Sequence, residues 1–223
     1  MGKVPVDAVE TSLEVLSELE DHAPLGITEL ASRIETPKAT VYYHLQTLER
    51  HGYVTRNEDG YELGLRVLEL GGRVRHRQQL TSVVEPNLQR LGTETNEIAV
   101  FVVEEHGSAV VLHVERPTGL TTVVDISVGM HLPIHGSAVG KALLAALPDD
   151  RRDAILAEHD FEAYTDETVT SESALREQLD TVQSEGHALG RGEFDPEVHS
   201  VAAPVVDEND AVVGTVGIVG PSS

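Results

Sequence analysis

The sequence contains no cysteine and no tryptophan, and aromatic residues make up only 4% of its 223 residues. Without cysteine the chain can form neither a disulfide nor a thiolate nucleophile. It also has no apolar run of about 20 residues, the length that a membrane-spanning helix needs. The first residues lack the apolar core of a secretory signal. These absences predict a cytoplasmic protein with no membrane partner.

Motifs for catalysis are missing as well. The sequence has no Gly-x-Ser-x-Gly elbow and no His-Glu-x-x-His pair. Its histidines are scattered, and His131 and His135 flank Pro133 in an expected loop, so they do not share a helix face. We therefore expect no catalytic residues, no metal site and no cofactor.

Lysine occurs only three times, whereas Asp and Glu number 38, and the formal net charge is −22. A carboxylate-rich, lysine-poor surface stays hydrated in concentrated salt, so the composition predicts a halophilic source. Residues 1–78 carry a net charge of −4 and residues 79–223 one of −18. Counterion release weakens at high salt, so any nucleic-acid binding by this chain should depend on base contacts, shape and dimer geometry.

The most informative stretch, residues 26–63, predicts two helices joined by a tight turn and followed by a hairpin. Thr36 and Pro37 suit an N-cap and a first helical position, because the hydroxyl can accept a backbone N–H and proline has none to lose. Gly52 suits the left-handed residue that ends a helix. Two short alternating segments around residues 57–60 then predict the strands of a wing. This order predicts a winged helix-turn-helix, which places one helix in the major groove of DNA.

The second of these helices has one apolar face. Val41, Leu45 and Leu48 recur at i, i+4 and i+7 and should be buried, which leaves the opposite face to read DNA. A winged helix that only contacts other proteins is the alternative. The residues that we expect to contact DNA are Thr28, Thr36, Lys38, Ala39, Thr40, Tyr42, Tyr43, Gln46 and Arg56.

The segments on either side predict further helices. Residues 7–20 should form a scaffold helix, and residues 65–77 a linker helix with a weak point at Gly71 and Gly72. The basic end of the linker could contact phosphates or simply be solvated. The predicted apolar stripe of the scaffold helix consists of Val9, Leu13, Leu16 and Leu19.

The remainder of the chain alternates strands and helices. A helix from about residue 80 should end at Gly92, and another should end at Gly186. The pattern predicts an α+β class with a mostly antiparallel sheet, in three parts: a winged helix over residues 1–64, a linker over 65–78 and a sensor domain over 79–223. Predicted strands cover residues 98–102, 109–114, 122–126, 201–206 and 211–219, and predicted helices follow Gly136 and cover 149–158 and 172–185.

The glycines and the lysine of the segment from Gly136 to Lys141 suggest a nucleotide-binding loop. A P-loop needs a glycine and a hydroxyl where this chain has His135 and Ala142, so the match fails twice. What remains is a loop that enters a helix, whose free N–H groups can hold an anion such as a carboxylate. A plain N-cap at Ser137 with close helix packing is the alternative.

The order of these motifs resembles that of the IclR family of transcriptional regulators across nearly the whole chain. The resemblance implies an N-terminal winged helix, a linker helix used in dimerisation and a GAF-like C-terminal α/β domain that binds a small organic effector, often a carboxylate. The matching motifs are residues 36–41 with Leu45, 48–54, 61–64, 68–71, 132–142, 164–165 with Thr168, 202–205, Gly186, Glu193, Gly220 and Pro221.

The resemblance also implies where the effector pocket lies. Positions that often carry an acid, a cysteine and two serines in the family are Gly190, Ser200, Gly217 and Val219 here, so fewer side chains can bind a polar ligand. Core filling is the alternative role for the valines. With Arg191 added as the nearby cation, the expected pocket consists of Val124, Ala138, Val139, Gly190, Arg191, Val198, Ser200, Gly217 and Val219.

These patterns lead to one hypothesis and two rivals. The hypothesis is a transcriptional regulator that acts as a homodimer or dimer of dimers on a palindromic double-stranded operator, controlled by a small carboxylate or sugar acid. The first rival is a cytoplasmic small-molecule sensor or adaptor that uses its winged helix for protein contacts. The second is an enzyme built on the C-terminal domain.

Overall fold

The computed structural model describes residues 6–77, 80–119 and 124–222. They form two compact units, one that ends at Arg77 and one that holds the residues after it. Position 78 of the predicted linker and positions 122 and 123 of a predicted strand lie outside the described residues.

The first unit is a three-helix core with a small hairpin. Its elements are α1 (Asp7–His22), α2 (Ile27–Arg33), α3 (Lys38–Arg50), β1 (Val54–Arg56), β2 (Tyr61–Leu63) and α4 (Leu65–Arg77). The core is formed by α1, α2, α3 and the two strands around fully buried Val15, Leu30, Val41 and Leu45, and α4 contributes no residue to it. The predicted stripe of α1 is therefore partly wrong. Val15 and Leu19 are buried, whereas Val9 and Leu13 are 55% and 59% exposed.

The reading helix α3 begins one residue later than predicted. Pro37 takes the cap position with φ −56° and ψ 135°, and its carbonyl accepts the N–H groups of Thr40 and Val41. Thr36 does not cap the helix, because it lies one residue before the cap position, and its hydroxyl donates to the carbonyl of Ile34 at 3.1 Å. Gly52 has φ +77°, as its predicted helix-ending role requires.

The hairpin confirms the predicted wing. Strands β1 and β2 pair antiparallel, with Thr55 opposite Glu62. The tip is held by Asn57, whose side-chain oxygen accepts the backbone N–H groups of Asp59 and Gly60, each at 2.9 Å. The winged helix-turn-helix is therefore complete, and α4 follows it as a continuous helix through Gly71 and Gly72.

The second unit is built on a six-stranded sheet with helices on both faces. Its elements in chain order are α5 (Thr81–Thr95), β3 (Ile98–Glu105), β4 (Ser108–Glu115), β5 (His131–Leu132), α6 (Ala138–Ala146), α7 (Asp149–Glu158), α8 (Glu172–Glu185), β6 (Ala188–Arg191), β7 (Val198–Val206) and β8 (Val212–Pro221). The strand order is β5-β4-β3-β8-β7-β6, and every neighbouring pair is antiparallel.

Alternation along β3 separates the two faces of the sheet. Ile98, Val100 and Val102 face a large core that contains α6 and α8, and Ala99 and Phe101 face α5. Helix α6 lies against both the sheet and α8, which explains why all but its last residue are buried. The α+β class with an antiparallel sheet is confirmed.

Three details differ from prediction. Gly92 lies inside α5, and the helix ends instead at Asn96 in the left-handed conformation. The described part of predicted strand 122–126 is not a strand, because the Arg116 guanidinium donates to the carbonyls of Val124 and Ile126 at 3.1 and 2.6 Å. Sequence reasoning also missed the short edge strands β5 and β6.

Candidate functional sites

The outward face of α3 carries the residues predicted to read DNA. Tyr42 is 40% exposed and Tyr43 66% exposed, and their rings tilt against each other with centroids 5.8 Å apart. The Gln46 amide nitrogen donates to the Tyr42 hydroxyl at 2.7 Å. Lys38 and Ala39 are exposed at the start of the helix, and Thr40 is half-buried.

The other predicted DNA contacts lie around this helix. Thr28 is exposed on α2, and Thr36 is half-buried in the turn, where its hydroxyl is bonded locally. Arg56 lies on β1 of the wing with its guanidinium 5.4 Å from the centre of the Tyr61 ring. The first unit thus presents a reading helix, a turn and a basic wing residue, which are the parts that a winged helix uses on DNA.

A cavity of about 190 Å³ lies in the second unit between the start of α6 and the sheet. Most of the predicted effector residues line it, mixed with apolar residues from β3 and β5. Those that do are Val124, Ala138, Val139, Gly190, Val198, Ser200 and Val219.

Two predicted residues are placed elsewhere. Arg191 is exposed and does not line the cavity, because side chains alternate along β6 and Gly190 is the residue that faces inward. Gly217 lies beneath the wall, where a Cβ atom would be only 2.8 Å from the Val139 side chain. Arg191 is therefore not the cation of this cavity, and Gly217 allows Val139 to pack closely on β8.

The N-terminus of α6 forms one wall. The Ser137 hydroxyl caps the helix by accepting the Gly140 N–H at 3.2 Å, and it donates to the Pro133 carbonyl at 2.8 Å. Within the described residues, the N–H groups of Ala138 and Val139 have no acceptor. The predicted N-cap and the predicted free donors are thus compatible with each other, since the cap satisfies only one of the helix's first N–H groups.

Another part of the lining, here called the acidic wall, carries carboxylates, which the sequence reasoning missed. Asp125, Glu193 and Asp195 line the cavity together with Phe194, and no Lys or Arg does so among the described residues. The Glu193 carboxylate accepts from the Lys141 ammonium at 2.6 Å, and both side chains are nearly buried, 11% and 4% exposed. The other oxygen, Oε2, is buried without a partner in the described structure.

Several hydrogen bonds fix the position of the acidic wall. Lys141 also donates to the Gln178 side chain at 3.2 Å, and the hydroxyls of Thr165 and Thr168 donate to the backbone carbonyls of Gly192 and Glu193 at 2.7 and 2.5 Å. One signal could have revealed it. Lys141 stands in a helix of small and apolar residues, and a lysine in such a helix is buried only with a partner.

A pair of histidines packs behind the loop that enters α6. His135 is fully buried, and its Nε2 lies 2.9 Å from the Glu162 carbonyl, so this nitrogen must donate. Its Nδ1 then accepts from His159 Nε2 at 2.7 Å. Burial and the neighbouring His135 lower the pKa of His159. Both rings therefore serve packing and hydrogen bonding, and burial disfavours the charged form of His159.

The part of the chain that the structure describes contains neither a cluster of metal ligands nor a membrane-spanning helix. In the ranges 6–77, 80–119 and 124–222, no three His, Asp or Glu side chains come together as metal ligands. No helix within these ranges is long and apolar enough to cross a membrane.

Comparison with known proteins identifies the class. A model of the IclR helix-turn-helix domain matches residues 8–58, and one of the bacterial transcriptional regulator IclR C-terminal domain matches residues 72–223. These family matches define a transcription regulator rather than an enzyme. The chain belongs to the IclR family.

Individual relatives match this chain over most of their length. A probable HTH-type transcriptional regulator ArcR from Halobacterium salinarum is 28% identical, over 98% of this chain and 84% of the relative. A crystal structure of a putative transcriptional regulator from Rhodococcus sp. RHA1 superposes with a TM-score of 0.80 at 27% identity, over 97% of this chain and 86% of the other. An IclR homolog from Microbacterium hydrocarbonoxydans complexed with 4-hydroxybenzoate shares the fold, with a TM-score of 0.78 at 23% identity, over 96% and 89% of the two chains.

Proposed function

We propose that this regulator binds a palindromic operator as a homodimer or dimer of dimers, and that a small organic carboxylate or sugar acid controls its affinity for DNA. The observation that carries the proposal is the polarity of the cavity. Within the described residues, its lining offers both N–H donors without an acceptor and carboxylates.

The donor wall suits an anion. Two N–H groups at the start of α6, those of Ala138 and Val139, and the positive end of the helix dipole favour a negative group without a basic side chain. The mostly apolar side chains around them, such as Val124, Val198 and Val219, suit a carbon skeleton.

The carboxylates of the acidic wall restrict the class of organic anion that suits the cavity. A simple fatty acid would leave Glu193 Oε2 without a partner in the described structure, at an energetic cost for a buried charged oxygen. A hydroxy acid can place its carboxylate at α6 and donate hydroxyl groups to Glu193, Asp125 or Asp195. This pattern favours a sugar acid or another hydroxylated carboxylate over an unsubstituted one.

The dimer is proposed from the surface of α4. No residue of this helix is buried, although Leu65, Leu68 and Val74 are 83%, 71% and 57% exposed. A helix with such apolar side chains is stabilised when a second copy covers them. Two copies would present two reading helices to half-sites one or more helical turns apart, about 34 Å per turn.

The effector proposal is tested by calorimetry on the purified chain in concentrated salt. Aldonic acids, 4-hydroxybenzoate and their unhydroxylated counterparts form matched pairs, and we expect the hydroxylated member of a pair to bind more tightly. The Ala138→Pro variant should lose affinity, because proline removes one N–H yet is tolerated at a first helical position after the extended Ser137. Asp149→Pro, the same change at the first residue of α7, is the control and should bind normally. Equal binding by the Ala138→Pro variant would place the effector elsewhere.

A further inference from the structure

The reading face of α3 contains a preformed hydrogen-bonded pair. Tyr42 and Gln46 are four residues apart and therefore project from the same side of the helix. The Gln46 amide nitrogen donates to the Tyr42 hydroxyl at 2.7 Å, and both side chains are exposed. In the described structure Gln46 has no other hydrogen bond, so its carbonyl oxygen and its second N–H are open to a partner.

The free acceptor and donor of the Gln46 amide together match the major-groove groups of only one base. The open edge of the amide pairs one acceptor with one donor, and adenine presents the complement in the major groove, an N6 amino donor beside the N7 acceptor. Guanine presents two acceptors there, which would leave the amide oxygen facing the O6 oxygen. Thymine and cytosine offer one hydrogen-bonding group each. A carboxamide held at this position therefore selects adenine.

The role of Tyr42 follows from the flexibility of glutamine. A free glutamine side chain must give up several rotamers when it binds a base. The hydroxyl of Tyr42 restricts those rotamers before DNA arrives, and the bond uses only one of the two amide hydrogens. Tyr43 lies beside it, 66% exposed, and makes no hydrogen bond to Gln46 in the described structure.

We propose that Gln46 reads one adenine in each operator half-site through N6 and N7, and that Tyr42 is the positioning residue that presents the amide edge. The inference rests on the proposed binding of DNA by α3 and adds the base that is read. Loss of the pair should relax specificity at one position and leave the affinity for unrelated DNA unchanged.

The first experiment is selection of duplexes from a randomised library by the full-length chain in concentrated salt. We expect a half-site with one position at which adenine is preferred by about 5- to 150-fold, the range typical of one bidentate base contact. The Gln46→Ala variant should lose the preference at that position alone.

A modified base then tests the geometry. Replacing the selected adenine by 7-deazaadenine removes only the N7 acceptor. We expect weaker binding by the wild-type chain and no further weakening for Gln46→Ala, because that variant has already lost the contact.

Tyr42→Phe removes only the hydroxyl and should reduce the adenine preference several-fold. In a Gln46→Ala background the same change should have no effect on the preference, since the two residues act through one contact. Tyr43→Phe is the matched control and should leave the preference as it is.

The outcomes separate the two claims. If selection enriches no sequence, the proposed DNA binding fails. If a half-site is enriched but its base preferences are the same in Gln46→Ala, the adenine inference alone fails. If Tyr42→Phe keeps the full preference, Gln46 reads the base without help and the positioning role is refuted.

Discussion

Removal of the Lys141 ammonium should destabilise the second unit strongly. In Lys141→Met the Glu193 carboxylate would stay nearly buried, and it would lose the cation that now lies 2.6 Å away. Its other oxygen already lacks a partner in the described structure. Breaking a buried ion pair from one side costs about 3–5 kcal/mol. At about 2–4 °C per kcal/mol for a unit of this size, the melting temperature should fall by roughly 6–20 °C.

The assay is thermal unfolding followed by circular dichroism in concentrated salt, with two comparison variants. The double variant Lys141→Met with Glu193→Leu removes both charges and should recover much of the loss. Arg90→Met breaks the Arg90–Glu94 pair, which is 3.9 Å long with side chains 71% and 68% exposed, and should cost less than about 1 kcal/mol. If Lys141→Met melts within about 4 °C of the wild type, as the Arg90→Met control should, the reasoning about burial is refuted.

Three further predictions concern pH, assembly and salt. The pKa of His159 is lowered in the folded chain, so the unfolded chain takes up the proton first and stability should fall as pH drops below about 6.5. Denaturant titrations should show a smaller fall for His159→Gln, and an identical fall would contradict this assignment. Leu68→Glu, at a position that is 71% exposed, should leave the helical content unchanged and convert the dimer to monomer in sedimentation; a monomeric wild type would defeat the dimer proposal. With a net charge of −22, the melting temperature should fall on dilution from about 1 M to 0.1 M KCl, because the screening length grows from about 3 to 10 Å. A melting temperature independent of salt would argue against a halophilic protein.

The sequence predicted those elements whose ends carry local chemical signals. Helices α7 and α8 have the predicted bounds, and Gly186 ends α8 with φ +74°. The wing could also be predicted from the sequence, because the hydrogen bonds at its tip join residues that are close in the sequence. In these places, local preferences and the final fold agree.

The predicted and observed elements differ where residues far away in the sequence determine the local conformation. The segment at 124–126 looks like a strand, but Arg116 takes two of its carbonyls and holds it at the cavity instead. Gly92 looks like a helix end, but it lies inside α5, where a Cβ atom would be 3.3 Å from the Glu115 side chain and 3.4 Å from the Glu97 carbonyl oxygen, so a glycine fits closely there. Neither cause lies within one helical turn of the residue concerned.

Sequence reasoning identified only part of the candidate cavity, because residues far apart in the sequence form the rest of its lining. The resemblance placed seven lining residues correctly, whereas the phase of β6 turned Arg191 outward. The acidic wall depends on a pairing between Lys141 and Glu193, which are 52 positions apart. The apolar sequence around Lys141 indicates that this lysine needs a partner, but it does not identify Glu193 as that partner.

The most direct test of the account measures DNA and effector binding together. Labelled DNA from the chain's own promoter is titrated with the protein in concentrated salt, with and without a saturating hydroxy acid identified by calorimetry. The account predicts that the effector changes the affinity for DNA by some factor, and that bound DNA changes the affinity for the effector by the same factor. An affinity for DNA that is identical at zero and saturating effector would contradict the account.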